Sequence, residues 1–250
     1  MMSASVRPAV STLVIALALT VLLWLVPFAG ILTYPFRLFV TFIHESGHAL
    51  AALLTGNHVY GLQVAPNGGG LTYTTGSGLA GLLVASAGYL GAMAYGVLLL
   101  ALIRRAVPAR AILTGTAIYI FAFTFLFGLH APFTLLAGVL IALGLLAVAM
   151  VANLRVATFL VCFLAVQCIA NALFDLRTLI FLSAPFASHA HTDAENMAQA
   201  TGLPAIFWAL LWMALALVML VAALRDYATG LPTRTSAGTS ERDWRASLQS

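Results

Sequence analysis

Seven runs of apolar residues, each about the length a helix needs to cross some 30 Å of hydrocarbon, follow one another along this chain. They lie at 10–29, 34–54, 79–102, 111–128, 132–152, 156–181 and 204–224. Only a helix or a closed barrel satisfies its backbone polar groups inside lipid, and runs of this length point to helices. Composition agrees: 62% of residues are hydrophobic and 7% charged, more apolar side chain than a soluble chain of 250 residues can bury. The first run is longer than the apolar region of a signal peptide. Pro27-Phe28-Ala29-Gly30 after it makes a poor cleavage site, so this run also reads as a span. The expected fold is an all-α polytopic membrane protein of about seven transmembrane helices, with a short β-hairpin after the second. Residues 1–9 are expected to form a tail, 10–226 the membrane-embedded domain and 227–250 a flexible tail rich in Ser, Thr and Arg.

All eleven basic residues are Arg, spread over short loops and the C-terminal tail rather than gathered in a patch. That distribution suits anchors at a membrane interface and argues against nucleic acid as a partner. Cys162 and Cys168 fall within one apolar run on different faces, which makes them packing residues rather than a disulfide. The connection from Thr55 to Gly78 reads as two strands, Val59 to Val64 and Leu71 to Thr75, around a Pro-Asn-Gly-Gly-Gly turn. Strand and turn signals alone carry no chemistry. Directly after the second span, however, the hairpin could offer a strand edge to an extended peptide. Gly81, Ala85, Gly88, Ala92 and Gly96 form a small-residue seam on which another helix can seat closely.

Chemistry enters with His44-Glu45-Ser46-Gly47-His48, inside the second run. HExxH on a helix sets two imidazoles one turn apart on one face with a carboxylate beside them, a pattern that binds zinc and supplies a general base. An ionisable group in hydrocarbon is costly unless it is paired, hydrated or bound to metal, so such groups are functional candidates. Of seven acidic residues, only Glu45 and Asp175 fall within the spans. Residues 55 and 181 emerge on the same membrane face if the spans alternate, and His48 and Asp175 lie seven and six residues before those exits. At 1.5 Å per residue both sit roughly 10 Å below that face. Zinc sites of this kind need a third protein ligand, and the depth match nominates Asp175. Its rival is Asp193, in a polar stretch from Ser183 to Gly202 that also holds His189, His191 and Glu195 and reads as a loop. Gln167, Asn171 and Asp175 line up at i, i+4 and i+8, a polar stripe that either serves the site or bonds to another helix.

At these residues the chain resembles the site-2 protease class of intramembrane zinc metallopeptidases, and in particular a smaller, protease-like branch found in bacteria and plants. The likeness runs through His44 to Gly56, the glycine-rich hairpin, Gly88-Tyr89-Leu90-Gly91, Asp175-Leu176-Arg177, Asp193-Ala194 and Gly202-Leu203-Pro204. It implies His44 and His48 as zinc ligands, Glu45 as catalytic base and Asp175 as third ligand, with the hairpin as that class's membrane-associated β segment. It also implies a multi-pass protein of a bacterial cell membrane that cuts a membrane-protein substrate. The chain departs from the class in carrying Leu176 where an Asp-Gly pair is usual, and in having no inserted PDZ domain. Orientation stays open: the class places its zinc nearer the cytosol, whereas Arg104, Arg105, Arg110, Arg155 and the tail arginines favour the opposite arrangement. Two other readings share the motif, a zinc hydrolase of a lipid or small amide and a non-catalytic scaffold that keeps the metal site.

Overall fold

A computed structural model of the chain describes residues 6–26, 30–184 and 192–229. Eight helices and one hairpin follow in the order α1 (Val6–Leu25), α2 (Gly30–Leu54), β1 (Val59–Val64), β2 (Gly70–Thr74), α3 (Gly78–Arg104), α4 (Ala109–Phe127), α5 (Pro132–Val151), α6 (Leu154–Leu182), α7 (Asp193–Thr201) and α8 (Ala205–Thr229). Each of the seven apolar runs is helical. Among the described residues five helices, α3, α4, α5, α6 and α8, are long and apolar enough to cross a membrane. The expected seven is not reached by that measure. The described apolar stretch of α1, Ser11–Leu23, is too short, and α2 is diluted by Arg37, Glu45, two histidines and several hydroxyls.

Small residues decide how the helices pack. Gly47 on α2 lies against the Ala87 carbonyl and Gly88 of α3, and Gly96 on α3 lies against Ala165, Cys168 and Ile169 of α6. The seam on α3 thus seats α2 above one part and α6 above another, and a side chain at Gly47 or Gly96 would drive the backbones apart. α6 is the most enclosed of the five apolar helices and α8 the least. Cys162 and Cys168 are free and buried in this packing. Gln167 donates to the Thr20 hydroxyl at 3.2 Å, tying α6 to α1, while Asn171 donates to the Gln167 carbonyl at 2.8 Å. Those two members of the polar stripe serve helix contacts.

The hairpin forms as its sequence signals, with Val59 opposite Thr74 and Val64 opposite Gly70 and a bulge between Val59 and Gly61. One face of α2 straps it down. Tyr34 donates to the Pro66 carbonyl (2.7 Å), Arg37 to Asn67 (2.7 Å) and Thr41 to Gly68 (2.9 Å), while Thr72 donates to the backbone and carboxylate of Glu45 (3.0 and 2.7 Å). Positions 34, 37, 41 and 45 are helical neighbours along a single stripe. The outer edge of β1 is taken by the bundle, the Val64 amide donating to Thr134 of α5 at 2.8 Å. The outer edge of β2 has no strand beside it among the described residues.

The expected loop from Ser183 to Gly202 is in part a helix. Thr192 caps α7, its hydroxyl accepting from the Glu195 amide at 3.2 Å, and Gly202 ends it in the left-handed conformation at φ 75°. Ala194 and Met197 bury the inner face of this short helix, about two and a half turns long, against the bundle. His189 and His191 lie outside the described residues.

Candidate metal centre and reaction cavity

His44 and His48 stand one turn apart on α2, so both rings leave the same face, and their Nε2 atoms are 3.1 Å from each other. His48 Nδ1 is 2.7 Å from the Val84 carbonyl. A carbonyl only accepts, so Nδ1 carries the hydrogen, and loss of the Nε2 proton would leave that nitrogen's lone pair aimed at the other side. A carboxylate oxygen of Asp193 lies 3.4 Å from His48 Nε2 and 3.6 Å from His44 Nε2. Ligands bound tetrahedrally at about 2.0–2.2 Å are themselves about 3.3–3.6 Å apart, close to the 3.1, 3.4 and 3.6 Å sides of this triangle. Among the described residues these three form the group able to hold a metal ion.

Gly88 supplies the second test of fit. A Cβ at this position would fall far inside contact distance of both Nε2 atoms, so the missing side chain of α3 keeps the space in front of the two imidazoles clear. Burial acts to raise the Asp193 carboxyl, but hydrogen bonds from His44 and His48 win and hold it below the usual carboxylate range. A soft-to-borderline divalent ion with two nitrogens and one oxygen fits this donor set.

Asp175 does not belong to the triangle. It sits on the exposed side of α6 and lines the same cavity, with Thr178, Leu179 and Leu182 one and two turns further along. Asp175, the expected third ligand, thus lines the cavity while Asp193 is the carboxylate that stands 3.4 and 3.6 Å from the two imidazoles. Matching depth on two helices says nothing about azimuth, and α7 returns its own carboxylate to the histidines. The signal that finds Asp193 is present in the chain: Thr192-Asp193-Ala194-Glu195 has the Thr-x-x-Glu form of a helix N-terminus, and Gly202 with Pro204 marks a stop.

Glu45 is buried on α2 beside the histidines, its side chain accepting from Thr72 on β2. Gly70 lies so close to this carboxylate that any Cβ there would strike it. Around these groups opens a cavity of about 880 Å³, walled by β2 from Gly70 to Thr74, by α3 through Gly81, Val84 and Tyr89, and by the end of α6. The arrangement brings the His44, His48 and Asp193 group, the Glu45 carboxylate and a strand edge with no strand beside it among the described residues to one space.

The model of the Peptidase M50B-like family matches residues 12–223, nearly the whole described chain, and the protein belongs to that family, a site-2 protease-like group of peptidases. No curated protein and no solved structure matches the chain.

Proposed function

We propose that this protein is an intramembrane zinc metalloprotease that hydrolyses a peptide bond of a membrane-protein substrate. The observation that carries the reading is the convergence of His44, His48, Asp193 and Glu45 on one cavity whose wall is the free edge of β2. His44, His48 and Asp193 would hold the zinc. Zinc bound there supplies Lewis acidity and lowers the pKa of a bound water toward 7. Glu45 accepts the proton of the attacking water and delivers it to the leaving amine, and Thr72 fixes the carboxylate for that task. A substrate helix must unwind before its amide can be reached, and an extended segment pairing with β2 would hold the scissile bond beside Glu45. Arg37, Thr41 and Tyr34 keep the turn in place while the other strand edge is already occupied by α5.

The test compares membranes from cells carrying the wild-type chain or Glu45→Gln, then purified protein in liposomes. A membrane protein should accumulate uncleaved with Glu45→Gln and be cut by the purified wild type, with a chelator stopping the cut and zinc restoring it. Cleavage at wild-type rate by Glu45→Gln, or a purified wild type without bound metal, would overturn the reading.

A further inference from the structure

Water addition to the scissile carbonyl forms a C–O bond and moves the π pair onto the carbonyl oxygen, which stays an oxyanion until the C–N bond breaks and Glu45 protonates the amine. One preorganised donor at such an oxygen is worth about 10²–10³ in rate. Three of the six hydroxyls that line the cavity already donate elsewhere, Thr41 to the Arg37 and Gly68 carbonyls, Thr72 to Glu45 and Thr178 to Phe174, and a fourth, Thr192, caps α7. Tyr89 is different.

Its ring meets His44 edge-on, with centroids 4.6 Å apart at 81°, and lies 5.7 Å from the ring of Trp212. Trp212 is itself anchored, donating from Nε1 to the Ser86 hydroxyl at 3.0 Å. The ring is therefore held between a metal ligand and a fixed indole while the residue lines the cavity. Partly buried tyrosines ordinarily find a protein partner for the hydroxyl. Tyr34, Tyr95 and Tyr119 do so here, with Pro66, Thr116 and Ser46. The Tyr89 phenol makes no hydrogen bond among the described residues, yet the residue lines one cavity with Glu45, Asp175 and Asp193. A phenol is a neutral donor at physiological pH.

We propose that Tyr89 is a catalytic residue whose hydroxyl donates a hydrogen bond to the oxyanion formed from the scissile carbonyl. No proton leaves the phenol; it stabilises charge and is unchanged at the end. The proposal rests on the metalloprotease reading, and its test separates the two. Zinc-loaded full chain in micelles is titrated with two probes. One is a phosphinic pseudo-dipeptide, whose tetrahedral anionic group imitates the intermediate, and the other is a planar hydroxamate of the same side chains. Tyr89→Phe keeps the ring contacts and removes only the hydroxyl. It should retain zinc and hydroxamate affinity, bind the phosphinate about 10- to 100-fold more weakly, and lower kcat with KM unchanged. Equal phosphinate binding by Tyr89→Phe and wild type overturns the proposal. So does parallel loss of zinc or hydroxamate, which would mark a structural role, or a selective loss that appears instead in Asn196→Ala, a residue of α7 that also lines the cavity. Failure of zinc-loaded wild type to bind either probe also counts against it. Absence of zinc from the wild type would sink the metalloprotease reading itself, before any variant is made.

Discussion

At the scale of single residues, the site is defined as much by an atom that is missing as by those present. Gly88→Ala adds one methyl group to a helix, a change that on propensity alone stabilises by roughly 0.5–1 kcal/mol. Here the methyl would enter the space in front of both imidazoles. The expected outcome is a folded protein with the helix content of wild type and little bound zinc, read by elemental analysis and circular dichroism. A second comparison concerns the two candidate carboxylates. Asp193→Ala should lose zinc, since its oxygen stands 3.4 and 3.6 Å from the two Nε2 atoms, whereas Asp175→Asn should keep it. Zinc lost from Asp175→Asn and kept by Asp193→Ala would restore Asp175 as the ligand. Glu45→Gln should retain metal and fold while turnover falls by several orders of magnitude, because an amide cannot accept the water proton.

At the scale of elements, α7 is a short helix that carries the candidate ligand Asp193. Nine residues make a weak helix in isolation, so its cap and its packing hold it. Thr192→Ala removes the hydroxyl that accepts from Glu195 and should cost about 1 kcal/mol, lowering zinc affinity about fivefold if Asp193 is delivered by a formed helix. Competition with a chromogenic chelator measures this directly, and unchanged affinity would mean that Asp193 is placed by other contacts. The same helix marks the limit of what the chain discloses. The apolar runs and the hairpin could be read because each is long or repeats its signal, and the HExxH because helical spacing alone puts 44 and 48 on one face. Asp193 was harder, since a polar segment between spans looks like loop until its Thr-x-x-Glu start is weighed against the surrounding polarity. The stripe at 34, 37, 41 and 45 was also hidden, because a helix face shows which residues share a side but not what will lie across from them. Gly88 was legible as part of a packing seam; that it faces the imidazoles depends on the register of α3 against α2, which no local pattern encodes.

At the scale of the whole molecule, the five long apolar helices and the family of peptidases to which the chain belongs make it a multi-pass membrane protein. It should stay with the membrane pellet after an alkaline wash that strips peripheral proteins, and release by that wash would contradict the fold. The free edge of β2 has a further consequence. A row of backbone amides and carbonyls facing hydrocarbon has no way to satisfy its hydrogen bonds, and each such group costs several kcal/mol. Acyl chains are therefore a poor tenant for this cavity, and between substrates the strand has to be wetted. On the metalloprotease reading, the edge that would grip a peptide would thereby also keep at hand the reagent that hydrolysis consumes, and an arriving strand would displace only part of it.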